Sequence, residues 1–168
     1  MIRSGLAASL ALALAACATT APVVKAHGPQ ALLRYDAAAD ASGQVNAALV
    51  RAAEHGKRVL LVLGANWCHD STALAGWLET PRFAALVAER YELVFVNVGM
   101  PQTGDGHNLG VARRFGLPEL PGTPALLVLT PEGKAVNLDT AASWRNAASR
   151  SEDAIFAELA ALADQPAP

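Results

Sequence analysis

Apolar positions in this chain alternate between unbroken runs and helical stripes. Val59-Leu60-Leu61-Val62-Leu63 is a continuous apolar run between basic residues and Gly64. Such a run reads as a strand buried on both faces. Leu93 to Val98 and Ala125 to Leu129 read the same way. Helical spacing fills the intervals. Asp40 or Ser42 is placed to cap a helix to Glu54, with Val45, Leu49 and Ala52 on one face and Gly56 as its stop. A second helix opens around Cys68 to Ser71, carries Leu74, Trp77 and Leu78, and is broken or kinked at Pro81. Phe83, Leu86 and Val87 continue a helical face to about Arg90. Asn108 is expected to cap a short helix through Arg114. The last helix starts at Ser151 or Glu152 and runs to Ala163, with Ile155, Phe156, Leu159 and Leu162 as its stripe. Pro131 to Lys134 reads as a turn, and Ala135 to Leu138 as a strand pairing back on the third. Gly99 to His107 has no period and reads as a loop.

The order is helix, strand, helix, strand, helix, strand, strand, helix. Alternation in the first half implies a parallel βαβ unit, and the closing hairpin adds antiparallel strands. The expected fold is an α/β three-layer sandwich: a central mixed sheet with helices on both faces.

Composition narrows the function. With 52% apolar residues among 168, the chain has enough for a proper core. A net charge of −2 and the absence of basic runs argue against nucleic acid as a partner.

The N-terminus differs from the rest. Arg3 precedes an uncharged Ala- and Leu-rich run from Leu6 to Ala16, too short for a membrane span of ~20 residues. Leu14-Ala15-Ala16-Cys17 resembles the lipobox of bacterial lipoproteins. That resemblance implies a signal peptide over 1–16, acylation of Cys17, and a globular part held at the periplasmic side of an envelope membrane. Ala18, where inner-membrane retention would favour Asp, points to the outer membrane. The alternatives are an ordinary cleaved signal and an uncleaved anchor. Residues 17–35 then read as a flexible tether, and 36–168 as the folded domain. The membrane contact is expected through the lipid alone.

Only two cysteines occur in the chain. With Cys17 consumed by lipid, Cys68 is a lone thiol without an intramolecular partner. It sits in Asn66-Trp67-Cys68-His69-Asp70-Ser71, after a strand and at a helix start. There the free N–H groups and positive dipole end of the helix favour a thiolate, the nucleophile of disulfide exchange.

Three features together resemble the thioredoxin superfamily. A strand leads into Trp67-Cys68-x-x-Ser71. Asn97 and Val98 end the next strand, before a short helix closing on Arg114-Phe115-Gly116-Leu117. Gly122-Thr123-Pro124 precedes the strand Ala125 to Leu129 and its turn. The match spans about Val45 to Leu162. It implies Cys68 as attacking group, Ser71 as a supporting catalytic residue donating to the thiolate, and Trp67, Thr123 and a cis Pro124 as substrate-binding residues. Two positions depart from the family. The second, resolving cysteine is Ser71, and the buried acid six residues before the first cysteine is Val62. Both departures argue against a general dithiol reductant.

The expected function is monothiol thiol–disulfide exchange with exported proteins or small thiols and disulfides, and no cofactor is called for. His69 and Asp70 are candidate modulators, although a helix start explains Asp70 by the dipole alone. A non-catalytic binding or adaptor module is the alternative. A third reading gathers Cys68, His69 and His107 on a soft metal such as copper. Trp77, Trp144, Phe83, Phe95, Phe115 and Phe156 read as packing residues.

Overall fold

The structure is a computed structural model that describes Met1 and residues 30–167. The expected signal run, Cys17, His27 and most of the expected tether lie outside the described residues.

Helix α1 spans Ala41–His55; Asp40 caps it by accepting from Gly43 N at 2.9 Å. It feeds β1, Arg58–Gly64. Helices α2, His69–Leu78, and α3, Pro81–Arg90, follow. Pro81 thus opens a new helix at its first position, where its missing N–H costs nothing. Strand β2, Tyr91–Asn97, pairs parallel with β1 in register Arg58 to Tyr91 through Gly64 to Asn97. Strand β5, Ala125–Leu129, pairs antiparallel with β1 on its other side, so the sheet order is β2-β1-β5. Helix α5 is Glu152–Asp164, capped by Ser151.

Period two sorts β1 between two cores. Val59, Leu61 and Leu63 meet α1 and the short α4, Leu109–Arg114. Leu60 and Val62 meet α2, α3 and α5. The result is the expected three-layer sandwich. Val62 is fully buried in the second core, so the position of the family's acid does packing here.

Four expectations change. Gly99 to His107 is not plain loop: β3, Gly99–Met100, pairs antiparallel with β4, Asp105–Gly106, around a 3-10 turn at Pro101–Thr103. Asn108 does not cap α4 with its side chain; its amide donates to Asn97 O instead, at 2.9 Å. Ala135 to Leu138 forms no strand. One bridge joins Ala135 to Leu129, and beyond it the Asn137 side chain replaces a strand's backbone. Its Oδ1 accepts from Val128 N at 2.8 Å and its Nδ2 donates to Leu126 O at 2.9 Å. The unassigned stretch after it forms a 3-10 segment, Ala141–Ser149, kinked at Asn146, that buries Trp144.

The fourth change concerns the expected tether. Its last residues are docked. Leu32 N donates to Thr72 O at 3.1 Å, and Tyr35 is 1% exposed in the second core. An aromatic ring and a leucine offer more apolar area than a solvated tether would leave in water.

Candidate active site

Cys68 stands where β1 hands over to α2. It is the N-cap residue of α2, with extended backbone, and its own side chain makes no capping bond. Its carbonyl accepts from Thr72 N at 3.0 Å and from Thr72 Oγ1 at 3.2 Å, which ties the first turn down. Cys68 is 8% exposed, and its thiol donates to Thr123 O at 3.3 Å. The Thr123–Pro124 peptide is cis, as the motif implied. The structure therefore brings together Cys68 and the Thr123-Pro124 pair, 55 residues apart.

Trp67 is 53% exposed beside it, and its indole Nε1 donates to Gly99 O at 3.0 Å. The indole is thus pinned over the β2–β3 junction, with exposed Met100 next in the chain. Ser71 is wholly buried, and its Oγ reaches no hydrogen-bond partner, Cys68 included. The expected Ser71-to-sulfur bond is not formed with the sulfur on Thr123 O. Asp70 is engaged by the kinked 3-10 segment: its Oδ1 accepts from Ala148 N at 2.8 Å. Its role is to hold α2 against that segment. His69 is exposed in the first turn of α2. His107 packs its ring over Gly99 and is likewise exposed. Among the described residues no three His, Cys, Asp or Glu side chains gather, so Cys68, His69 and His107 do not form the metal set considered above.

Thiol, cis-proline loop and helix start form one constellation, and a family model described as thioredoxin-like matches residues 40–131. The chain belongs to the thioredoxin-like family. A solved relative, described as a disulphide isomerase from Xylella fastidiosa Temecula1, is 34% identical. The match covers 79% of this chain and 98% of that one, with a TM-score of 0.71. No curated protein matches.

Within this thioredoxin-like frame the residues that motif reading missed come from the N-terminal segment. Asn66 Oδ1 accepts from Tyr35 N at 3.0 Å, and Asn66 Nδ2 donates to Tyr35 O at 2.9 Å. Asn97 Nδ2 donates to the same carbonyl at 3.0 Å, while its Oδ1 accepts from Gly99 N at 2.8 Å. These bonds, with Trp67 on Gly99, close a ring around the residues before Cys68. The Tyr35 hydroxyl donates to Ser71 O at 3.1 Å. Its ring occupies the space over Gly64: a Cβ there would lie 2.5 Å from Tyr35 Cε1 and 2.8 Å from Ser71 Oγ. Gly64 is glycine because Tyr35 takes its side-chain volume. The only local signal was the apolar Leu32-Leu33-x-Tyr35 cluster at the end of a polar stretch.

Tyr35 and Tyr91 are the chain's two tyrosines. Burial, helped for Tyr35 by the charge of ionised Cys68, pushes the Tyr35 phenol far above its ordinary value. Burial does the same to Tyr91, whose hydroxyl donates to Leu159 O at 2.6 Å. Both raised values favour the neutral phenol in the folded state. The stability this carries is complete below the unfolded value of about 10. It is lost above that pH, because the unfolded chain releases protons that the folded one keeps. The loss should be about 1.4 kcal/mol per pH unit for each tyrosine. In an alkaline titration, phenolate absorbance should rise in one cooperative step together with loss of circular dichroism. A gradual rise near pH ~10 with intact dichroism would contradict the burial of these rings.

Proposed function

We propose that the chain is an envelope thioredoxin-like lipoprotein that performs monothiol thiol–disulfide exchange at Cys68. The observation carrying this reading is Cys68 at the N-cap of α2, with its sulfur on the Thr123 carbonyl and Ser71 where a second sulfur would stand. Identity of 34% to a chain described as a disulphide isomerase supports the same chemistry. The lipobox-like run ending in Cys17 supports the address: residues 1–16 removed, Cys17 acylated, the domain held at the periplasmic side of the outer membrane.

The step balances as follows. Cys68 gives its proton to solvent, and the thiolate attacks one sulfur of a disulfide R–S–S–R′. A Cys68–S–S–R bond forms, the old S–S bond breaks, and R′–S⁻ leaves with the electron pair. The Ser71 hydroxyl cannot repeat this attack. An external thiolate must do so, releasing Cys68 and carrying R away as a new disulfide. Trp67 and the Thr123-Pro124 backbone flank the sulfur and hold the substrate chain. Before attack the thiol must leave the Thr123 carbonyl, which an extended substrate segment would then occupy as a backbone partner.

The 8% exposure of Cys68 favours a second reading, a binding module that keeps the groove without turnover. Purification from the envelope without reductant, followed by mass spectrometry, separates the two. Exchange predicts a protein or small thiol disulfide-linked to Cys68, and its complete loss in Cys68→Ser. An unmodified Cys68, with all partners kept by the Cys68→Ser variant, would establish the binding module instead.

A further inference from the structure

The sheet order sets the walls of the site. Cys68 follows the central strand β1. On the β2 side lie Trp67 and Gly99, with the His107 ring over the glycine. On the β5 side lies the loop Gly122-Thr123-Pro124, and against it packs Arg145 from the kinked 3-10 segment. A Cβ at Gly122 would lie 2.8 Å from Arg145 Cδ and 3.7 Å from Nη1, so this glycine exists to admit the arginine stem. Arg145 Nε donates to Ala142 O of its own segment at 3.2 Å, which orients the guanidinium. Arg150, five residues on, is paired with Glu158, whereas Arg145 has no carboxylate partner among the described residues. Arg145 is exposed, and its side chain lies against Gly122, the residue before Thr123, whose carbonyl holds the sulfur.

We infer that Arg145 is a specificity residue that selects disulfides bearing a carboxylate close to the attacked sulfur. A guanidinium with Nε already used presents an end-on pair of N–H donors, which suits a carboxylate in two parallel bonds. Its stem is held by Gly122 and its Nε by Ala142, so little side-chain freedom is lost on binding. The cation also draws anionic substrates toward the site in a salt-dependent way. This inference rests on exchange at Cys68. The carboxylate has two sources, a small acidic thiol in its oxidised form or an acidic residue beside a protein cysteine.

The test is the rate at which reduced Cys68 in the full chain, purified from the envelope, is consumed by disulfides differing in charge. The probes are anionic dithiobis(2-nitrobenzoate), neutral dithiodipyridine and cationic cystamine. Two short peptides carrying Asp or Lys beside a cysteine, each in disulfide with one neutral thiol, complete the set. Each probe is compared between variants, so its own reactivity cancels. Arg145→Gln keeps the stem and removes the charge. It should slow the anionic probe and the Asp peptide about three- to fivefold, the upper end for one screened charge near the surface. The neutral probe should stay within about twofold on the same scale, and cystamine should not be slowed. Arg145→Lys should keep most of the wild-type rate, and added salt should erase the difference. A response by the small anion but not by the Asp peptide assigns the small acidic thiol, and the reverse assigns acidic polypeptide. Equal slowing of all probes, or no change in any, overturns the role of Arg145 while leaving exchange intact. Failure of every probe to react with the wild-type thiol overturns exchange itself and the inference with it.

Discussion

Asn137→Ala is expected to destabilise the folded chain by about 2–6 kcal/mol, out of a total of order 5–15 kcal/mol. Asn137 is fully buried, and its amide bonds two backbone groups on the outer edge of β5. Truncation leaves Val128 N–H and Leu126 C=O in the core with nothing to meet. Each orphaned group costs its desolvation, about 1–3 kcal/mol. Asn137→Leu keeps the volume and should cost nearly as much, which separates lost hydrogen bonds from lost packing. Denaturant midpoints measure the loss, and amide exchange at Val128 localises it. A loss under about 1 kcal/mol for both variants would mean the edge finds other partners.

That residue also marks a limit of the pattern of apolar positions. The strands Val59 to Leu63 and Ala125 to Leu129 were legible because a run buried on both faces has no competing reading of that length. Helices α1 and α5 were legible through their stripes and caps at Asp40 and Ser151. Ala135 to Leu138 has strand composition, yet it pairs at one bridge, because a side-chain amide supplies the remaining bonds. No periodicity reports that substitution. The 3-10 segment around Trp144 was illegible for a related reason. Its order comes from contacts with α2, including Asp70 on Ala148 N, and not from its own period.

The site divides the same way. Cys68, Ser71, Thr123 and Pro124 lie in short motifs whose spacing is local, so they could be named at once. Arg145 and Tyr35 could not. Arg145 meets Gly122 across 23 positions, and Tyr35 meets Ser71 across 36. The two glycines they cover, Gly122 and Gly64, look like ordinary turn or strand-end residues until the covering side chain is seen. Asp70 shows the converse. A carboxylate next to a thiol invites an electrostatic role, and the structure gives it a structural one.

Tyr35→Ala should cost about 3–5 kcal/mol, the range for removing a buried aromatic ring from a packed core. The larger consequence falls on the site. The Tyr35 backbone binds Asn66 and Asn97, and its hydroxyl binds Ser71 O in the first turn of α2. Tyr35→Phe isolates the hydroxyl and should cost only about 1 kcal/mol, the net value of one hydrogen bond. Gly64 supplies the sharper test. A methyl group there would sit 2.5 Å from the tyrosine ring, so Gly64→Ala should overpack the wild-type core by about 1–3 kcal/mol. Against Tyr35→Ala the same methyl enters space the ring has vacated, and the Ser71 hydroxyl, 2.8 Å away, still opposes it. The two changes should therefore be less than additive, with a coupling of about 1 kcal/mol or more in a double-mutant cycle. Additive costs would mean that ring and glycine do not share one volume. Coupled costs make Tyr35 part of the folded domain and not of its leash. Any tether from an anchored Cys17 then ends before Leu32, and its last fixed point is hydrogen-bonded to the loop that presents the thiol.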